Sequence, residues 1–75
     1  MRKPLPTPLI NITINGVRSR IPAPMSIAKL IEERRFAGKR IAVELNGEIV
    51  PRSRHNEAIV AAGDRIEIVV AVGGG

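Results

Sequence analysis

Two Asn-Gly dipeptides, Asn15-Gly16 and Asn46-Gly47, each closing a stretch of alternating residues, restrict the folding of this chain more than any other feature. Ahead of the first, Ile10, Ile12 and Ile14 alternate with Asn11, Thr13 and Asn15. Period two gives a strand from residue 9 with one buried and one polar face. Asn-Gly suits a type I′ turn because both central residues need positive φ. A two-residue turn sets Ile14 opposite Val17, which predicts Val17, Ser19 and Ile21 on the apolar face and Arg18 and Arg20 in solvent. The second dipeptide follows Ile41, Val43 and Leu45, which alternate with Ala42 and Glu44, and leads into a short strand, Glu48 to Val50. Across that turn Val43 faces Val50 inward and Ile49 points outward.

Between the hairpins, Pro22 and Pro24 stop the second strand, since proline cannot donate to a ladder. Ser26 is a good helix N-cap, and Ile27, Leu30 and Ile31 then recur at helical spacing. Met25 and Leu30 occupy staple positions, and Lys29, Glu32 and Glu33 form the outer face. The pattern predicts a helix from Ile27 to near Phe36, with Gly38 as its stop. Pro51 ends the fourth strand. Residues 52–62 read as irregular, with one short helical turn around 56–60. Gly63-Asp64 is a turn, and Arg65 to Ala71 is the last strand, with Ile66, Ile68 and Val70 on one face.

This order, β-β-α-β-β-β, predicts a two-layer α+β domain. It is the β-grasp (ubiquitin-like) pattern: a mixed sheet of four to five strands covered on one face by one helix. In that fold the last strand runs through the sheet centre beside the first. The expected organisation is a disordered proline-rich leader at 1–8, a β-grasp domain at 9–72 and a flexible glycine tail at 73–75.

At 75 residues the chain has room for one domain and little for a deep pocket beside its core. The only aromatic residue is Phe36, so the core is aliphatic. The absence of Cys excludes disulfides, thiol nucleophiles and zinc ribbons, and is compatible with the cytoplasm. A net charge of +5 invites a nucleic-acid reading, yet the cations are scattered and no aromatics interleave them to stack bases. No apolar run reaches the ~20 residues of a membrane span. His55 stands alone in a polar stretch and reads as a solvated loop residue, not a metal ligand. Ser19, Ser26 and Ser53 lack a His-acid arrangement, so no catalytic residue and no bound cofactor or metal are expected.

What remains is the end of the chain, Gly73-Gly74-Gly75. Three glycines contribute no packing and are expensive to order. Without Cβ atoms they can pass through gaps closed to other residues and carry a carboxylate to another protein's active site. A carboxylate is a poor electrophile until activated, for example by attack on the α-phosphate of ATP. The nucleotide site, Mg²⁺ and any sulfur source must then belong to other proteins, because the chain has no P-loop or Cys. On the uncovered sheet face Ala42, Val69 and Ala71 should cluster with Ile49 near the rim. Such a patch beside the tail suggests docking, with Arg18, Arg20 and Arg65 orienting an acidic partner surface.

The segments INITING, MSIAKLIEE, IAVELNGEIVPR and AAGDRIEIVVAVGGG together resemble the ThiS family of sulfur carriers in thiamin thiazole biosynthesis. The resemblance covers nearly the whole chain after the leader. It implies that Gly75 is adenylated by a ThiF-like adenylyltransferase using ATP and Mg²⁺, then converted to a thiocarboxylate. A sulfur-donating enzyme would supply the sulfur, and thiazole synthase would receive it. The chemistry falls on Gly74-Gly75, with Gly73 an additional tail residue. The resemblance leaves sulfur carriage for molybdopterin or cysteine synthesis, or ubiquitin-like protein modification, as alternatives. A monomer that binds neither nucleic acid nor membrane is expected.

Overall fold

The computed structural model describes residues 8–71, so most of the expected leader and the tail Gly73-Gly74-Gly75 lie outside the described residues. Strand β1 (Leu9–Ile14) pairs antiparallel with β2 (Val17–Pro22) in the predicted register, Ile14 opposite Val17. Asn15 and Gly16 take φ of 48° and 81°, the positive values of a type I′ turn. Pro8 belongs to this ladder, its carbonyl accepting the Ala23 N–H at 2.8 Å.

A short strand β3 (Met25–Ser26) leads into helix α1 (Ile27–Glu33). The second hairpin joins β4 (Ile41–Leu45) to β5 (Glu48–Ile49), and the final strand is β7 (Arg65–Val70). The main sheet has the order β2-β1-β7-β4-β5, so the last strand lies at the centre, parallel to β1 and antiparallel to β4. With α1 on one face, this is the β-grasp arrangement. The core lies between helix and sheet: Ile12, Ile14, Ile21, Val43, Ile66 and Ile68 from the strands meet Ile27, Leu30 and Ile31 from the helix.

The helix ends at Glu33, three residues before the expected stop at Phe36. At about 100° per residue, continuing it would carry Arg34 onto the buried stripe of Ile27, Leu30 and Ile31 and turn Phe36 away. Instead Arg35 adopts φ 64°, and the Phe36 N–H bonds to the Ile31 carbonyl and the Arg35 N–H to the Glu32 carbonyl. These two bonds form a Schellman motif, and they return Phe36 to the core. The stop is therefore an arginine in the left-handed conformation, not Gly38.

Residues 52–62 also depart from expectation. The helical turn is a 3₁₀ turn at Arg52–Arg54, earlier than predicted, and β6 (Ile59–Val60) pairs with β3 in a separate two-stranded sheet. The reason is visible at the start of α1, whose first N–H groups have no partner within the helix. Ile27 N–H donates to the Ala58 carbonyl, Ala28 N–H to the His55 carbonyl, and Lys29 N–H to Ser26 Oγ at 3.0 Å. The loop thus completes the helix terminus. His55 is half-buried, its Nε2 lying 3.1 Å from the Val50 carbonyl oxygen. It is part of this scaffold, not a solvated side chain.

Candidate functional site

The sequence directs attention to the end of β7, and the structure shows how that strand is held. At its start, residues 61–64 form a tight turn around Asp64. The Asp64 carboxylate accepts the Ala61 N–H at 2.7 Å and the Asn46 Nδ2 amide at 3.0 Å. Asn46 also accepts the Arg65 N–H on Oδ1 at 2.8 Å, and its own N–H reaches the Arg65 carbonyl at 2.7 Å. The first residue of the second Asn-Gly turn therefore grips the first residue of β7.

The first Asn-Gly turn grips β7 further along. β1 pairs with β7 only at Thr13–Arg65 and Ile14–Ile66, then reverses into its hairpin. Beyond that point the Asn15 N–H donates to the Ile66 carbonyl at 2.9 Å. The Asn15 side chain then meets both backbone groups of Ile68: Oδ1 accepts its N–H at 2.7 Å and Nδ2 donates to its carbonyl at 3.2 Å. A carboxamide carries the same donor and acceptor as a peptide unit. Asn15 thus prolongs the ladder by one step after the strand has turned away. On the other side β4 follows β7 to its end, and the Ala71 N–H bonds the Arg40 carbonyl at 2.8 Å. The chain is fixed from both sides as far as Ile68 and from the β4 side through Ala71.

The uncovered face of the sheet carries the residues read from the sequence as a docking patch. Ala42 lies directly opposite Val69, and both are exposed. Ala71 follows on the same alternation, exposed. Ile49, 63% exposed, lies opposite Glu44 on β5, and Glu44 is opposite Glu67, so a pair of carboxylates lies between the rim and the Ala42–Val69 pair. Arg65 is further down β7, cross-strand from Thr13, whose other partner is Arg18. The face therefore grades from cationic at the start of β7 through acidic to apolar at the tail end. Val17, expected on the buried face, is 64% exposed at the turn end of the hairpin.

Sequence reasoning missed Asn15, Asn46 and Asp64 as structural anchors of β7. It used the asparagines only for their tolerance of positive φ, and the partner of the Asn15 side chain is 53 positions away. Among the described residues no group of three or more His, Cys, Asp or Glu side chains could hold a metal ion. Among the described residues no helix is long and apolar enough to cross a membrane.

A β-grasp domain whose central strand is gripped on both sides, with a glycine-rich sequence after it, is a domain of the ubiquitin-like type. Comparison with known proteins narrows the class: the ThiS family model matches residues 7–75, and the chain belongs to the ThiS family. A crystal structure of the thiamine biosynthesis protein ThiS from Geobacter metallireducens superposes with a TM-score of 0.76 at 30% identity, covering 88% of this chain and all of that one. A segment of a thiazole synthase from Paramagnetospirillum magneticum is 38% identical over 66 residues, 88% of this chain. The chain spans only 20% of that relative's length. The protein ycf40 of Porphyra purpurea is 33% identical over 66 residues, covering 88% of this chain and 93% of its own.

Proposed function

We propose that this chain is a sulfur carrier of thiamine biosynthesis that bears its cargo as a thiocarboxylate on Gly75. The observation that carries the reading is the fixation of β7 through Ala71, which delivers the glycine segment from a rigid base. The match of the family model through residue 75 and the likeness to ThiS structures support it.

In this reading the chain is a co-substrate and contributes no catalytic side chain. Attack of the Gly75 carboxylate on the α-phosphate of ATP, on a ThiF-like adenylyltransferase with Mg²⁺, expels pyrophosphate and leaves an acyl-adenylate. The nucleotide is then a good leaving group where oxide was not. A sulfide nucleophile attacks the acyl carbon, the C–O bond to AMP breaks, and a thiocarboxylate remains. In the pathway a sulfur-donating enzyme supplies that sulfur, and thiazole synthase takes it up. The exposed pair Ala42–Val69, with Ala71, Ile49 and Arg65, is the surface on which these partners dock.

The test is intact mass after incubation with the adenylyltransferase, ATP, Mg²⁺ and sulfide. Replacement of one oxygen by sulfur at the C-terminus is expected. A chain that stays unmodified under conditions that convert an authentic ThiS sinks the proposal. If it is converted but thiazole synthase cannot consume it, the carrier chemistry stands and the thiamine assignment falls.

A further inference from the structure

We infer that Asn15 is a positioning residue for the chemistry at the glycine tail: its carboxamide fixes the end of β7, and so the direction in which the chain leaves the domain. The inference rests on the carrier reading above, and concerns how the fold serves it. β1 abandons β7 at Ile14–Ile66, four residues before β7 ends at Val70. Without a further anchor, that edge of β7 would be free from Glu67 onward, and only β4 would hold the strand. Asn15 supplies the anchor by taking both backbone groups of Ile68, at 2.7 and 3.2 Å. Gripped on one side only, a terminal strand frays. Gripped on both as far as Ile68, it leaves only Val69 to Ala71 held from one side. Reacting atoms must be held in near-attack geometry, so a base that wanders lowers the share of encounters in which the carboxylate is in place.

The variant that isolates this role is Asn15→Gly. Gly-Gly also forms a type I′ turn, so the hairpin survives while both carboxamide bonds are lost. Asn15→Asp keeps the acceptor and loses the donor. Each variant is assayed as full-length chain with the adenylyltransferase, ATP, Mg²⁺ and sulfide, following pyrophosphate release against carrier concentration. The carrier is the substrate, so a variant that is merely less stable lowers the folded concentration and raises apparent KM, with kcat unchanged. A mispositioned tail on an intact docking face does the reverse. The expected result for Asn15→Gly is a kcat lower by roughly tenfold with KM little changed, and a smaller loss for Asn15→Asp. Asn46→Gly, which loosens the start of β7, should leave kcat alone.

A rise in KM at constant kcat, or an equal kcat loss in Asn46→Gly, overturns the assignment. Backbone amide relaxation provides a readout independent of activity: Val70 and Ala71 should gain fast motion in Asn15→Gly while Ile66 does not. Should the wild-type chain fail to be adenylated, the carrier reading is lost. The relaxation experiment then still decides the anchoring, and unchanged order at Val70 and Ala71 refutes it.

Discussion

Asn46 offers the sharpest test of how the sheet is held, because its backbone and side-chain roles can be separated. It sits at φ 51° and makes two carboxamide bonds, to Asp64 Oδ1 and from the Arg65 N–H. Asn46→Gly keeps the turn and deletes both bonds. At about 1 kcal/mol net for each partly exposed hydrogen bond, the loss is about 2 kcal/mol, with several tenths more from the added freedom of the unfolded chain. Asn46→Ala deletes the same bonds and keeps a β-carbon at φ 51° without the polar group that eases asparagine there, a strain of about 1–2 kcal/mol relative to glycine. Nothing lies within 4 Å of a β-carbon at the neighbouring Gly47, so crowding does not complicate this turn. Alanine should therefore be worse than glycine by about 0.5–1 kcal/mol once glycine's unfolded-state entropy is subtracted. Urea titration reads both: with m near 1 kcal/mol/M for so small a domain, the Asn46→Gly midpoint falls by about 2 M at unchanged m. A double-mutant cycle with Asp64→Ala should return a coupling of about 1 kcal/mol. A glycine variant as stable as wild type, or a cycle with zero coupling, refutes the claim that the carboxamide anchors β7.

Three further outcomes follow from the same geometry. Arg35→Gly should raise stability by about 0.5–1 kcal/mol in thermal or urea unfolding, because glycine takes φ 64° without a β-carbon penalty at the Schellman position. Glu67→Lys, placed directly opposite Glu44, turns a like-charge pair into an opposite one and should stabilise the sheet by about 0.2–1 kcal/mol, an effect that shrinks in high salt. Removal of Gly74-Gly75 should leave the urea midpoint unchanged and abolish the mass shift from oxygen to sulfur.

Most of the architecture was legible because it is encoded locally. The two Asn-Gly turns and the alternating isoleucines fixed the hairpin registers, and Ser26 caps the helix where its position predicts. Where the reading failed, the deciding interaction lay elsewhere in the chain. The helix stops early because Phe36, the one aromatic side chain, packs on the core and forces Arg35 into a conformation its type disfavours. The segment 52–60 looks irregular in sequence because its job is to accept hydrogen bonds from Ile27 and Ala28, some thirty positions back. On the exposed face, the alternation that puts Ala42 and Val69 on the outer side of their strands was readable. The adjoining Glu44–Glu67 pair needed the pairing of β4 with β7, which no local pattern supplies.

The same contrast explains why a short β1 suits a carrier. Backbone groups of alternate β7 residues face the β1 side: Ile66 meets the Asn15 N–H, Ile68 meets the Asn15 carboxamide, and Val70 comes next, past both. A β1 longer by two residues would hold Val70 as well, but on the proposed reading its hairpin would then stand beside the glycine segment and crowd an activating enzyme. A β1 that simply ended at Ile14 would leave Ile68 free and the tail without a fixed origin. One side chain resolves the conflict, since a carboxamide holds a strand as a peptide does while adding no strand of its own. The turn that reverses the first hairpin therefore also holds the strand that precedes the glycine sequence.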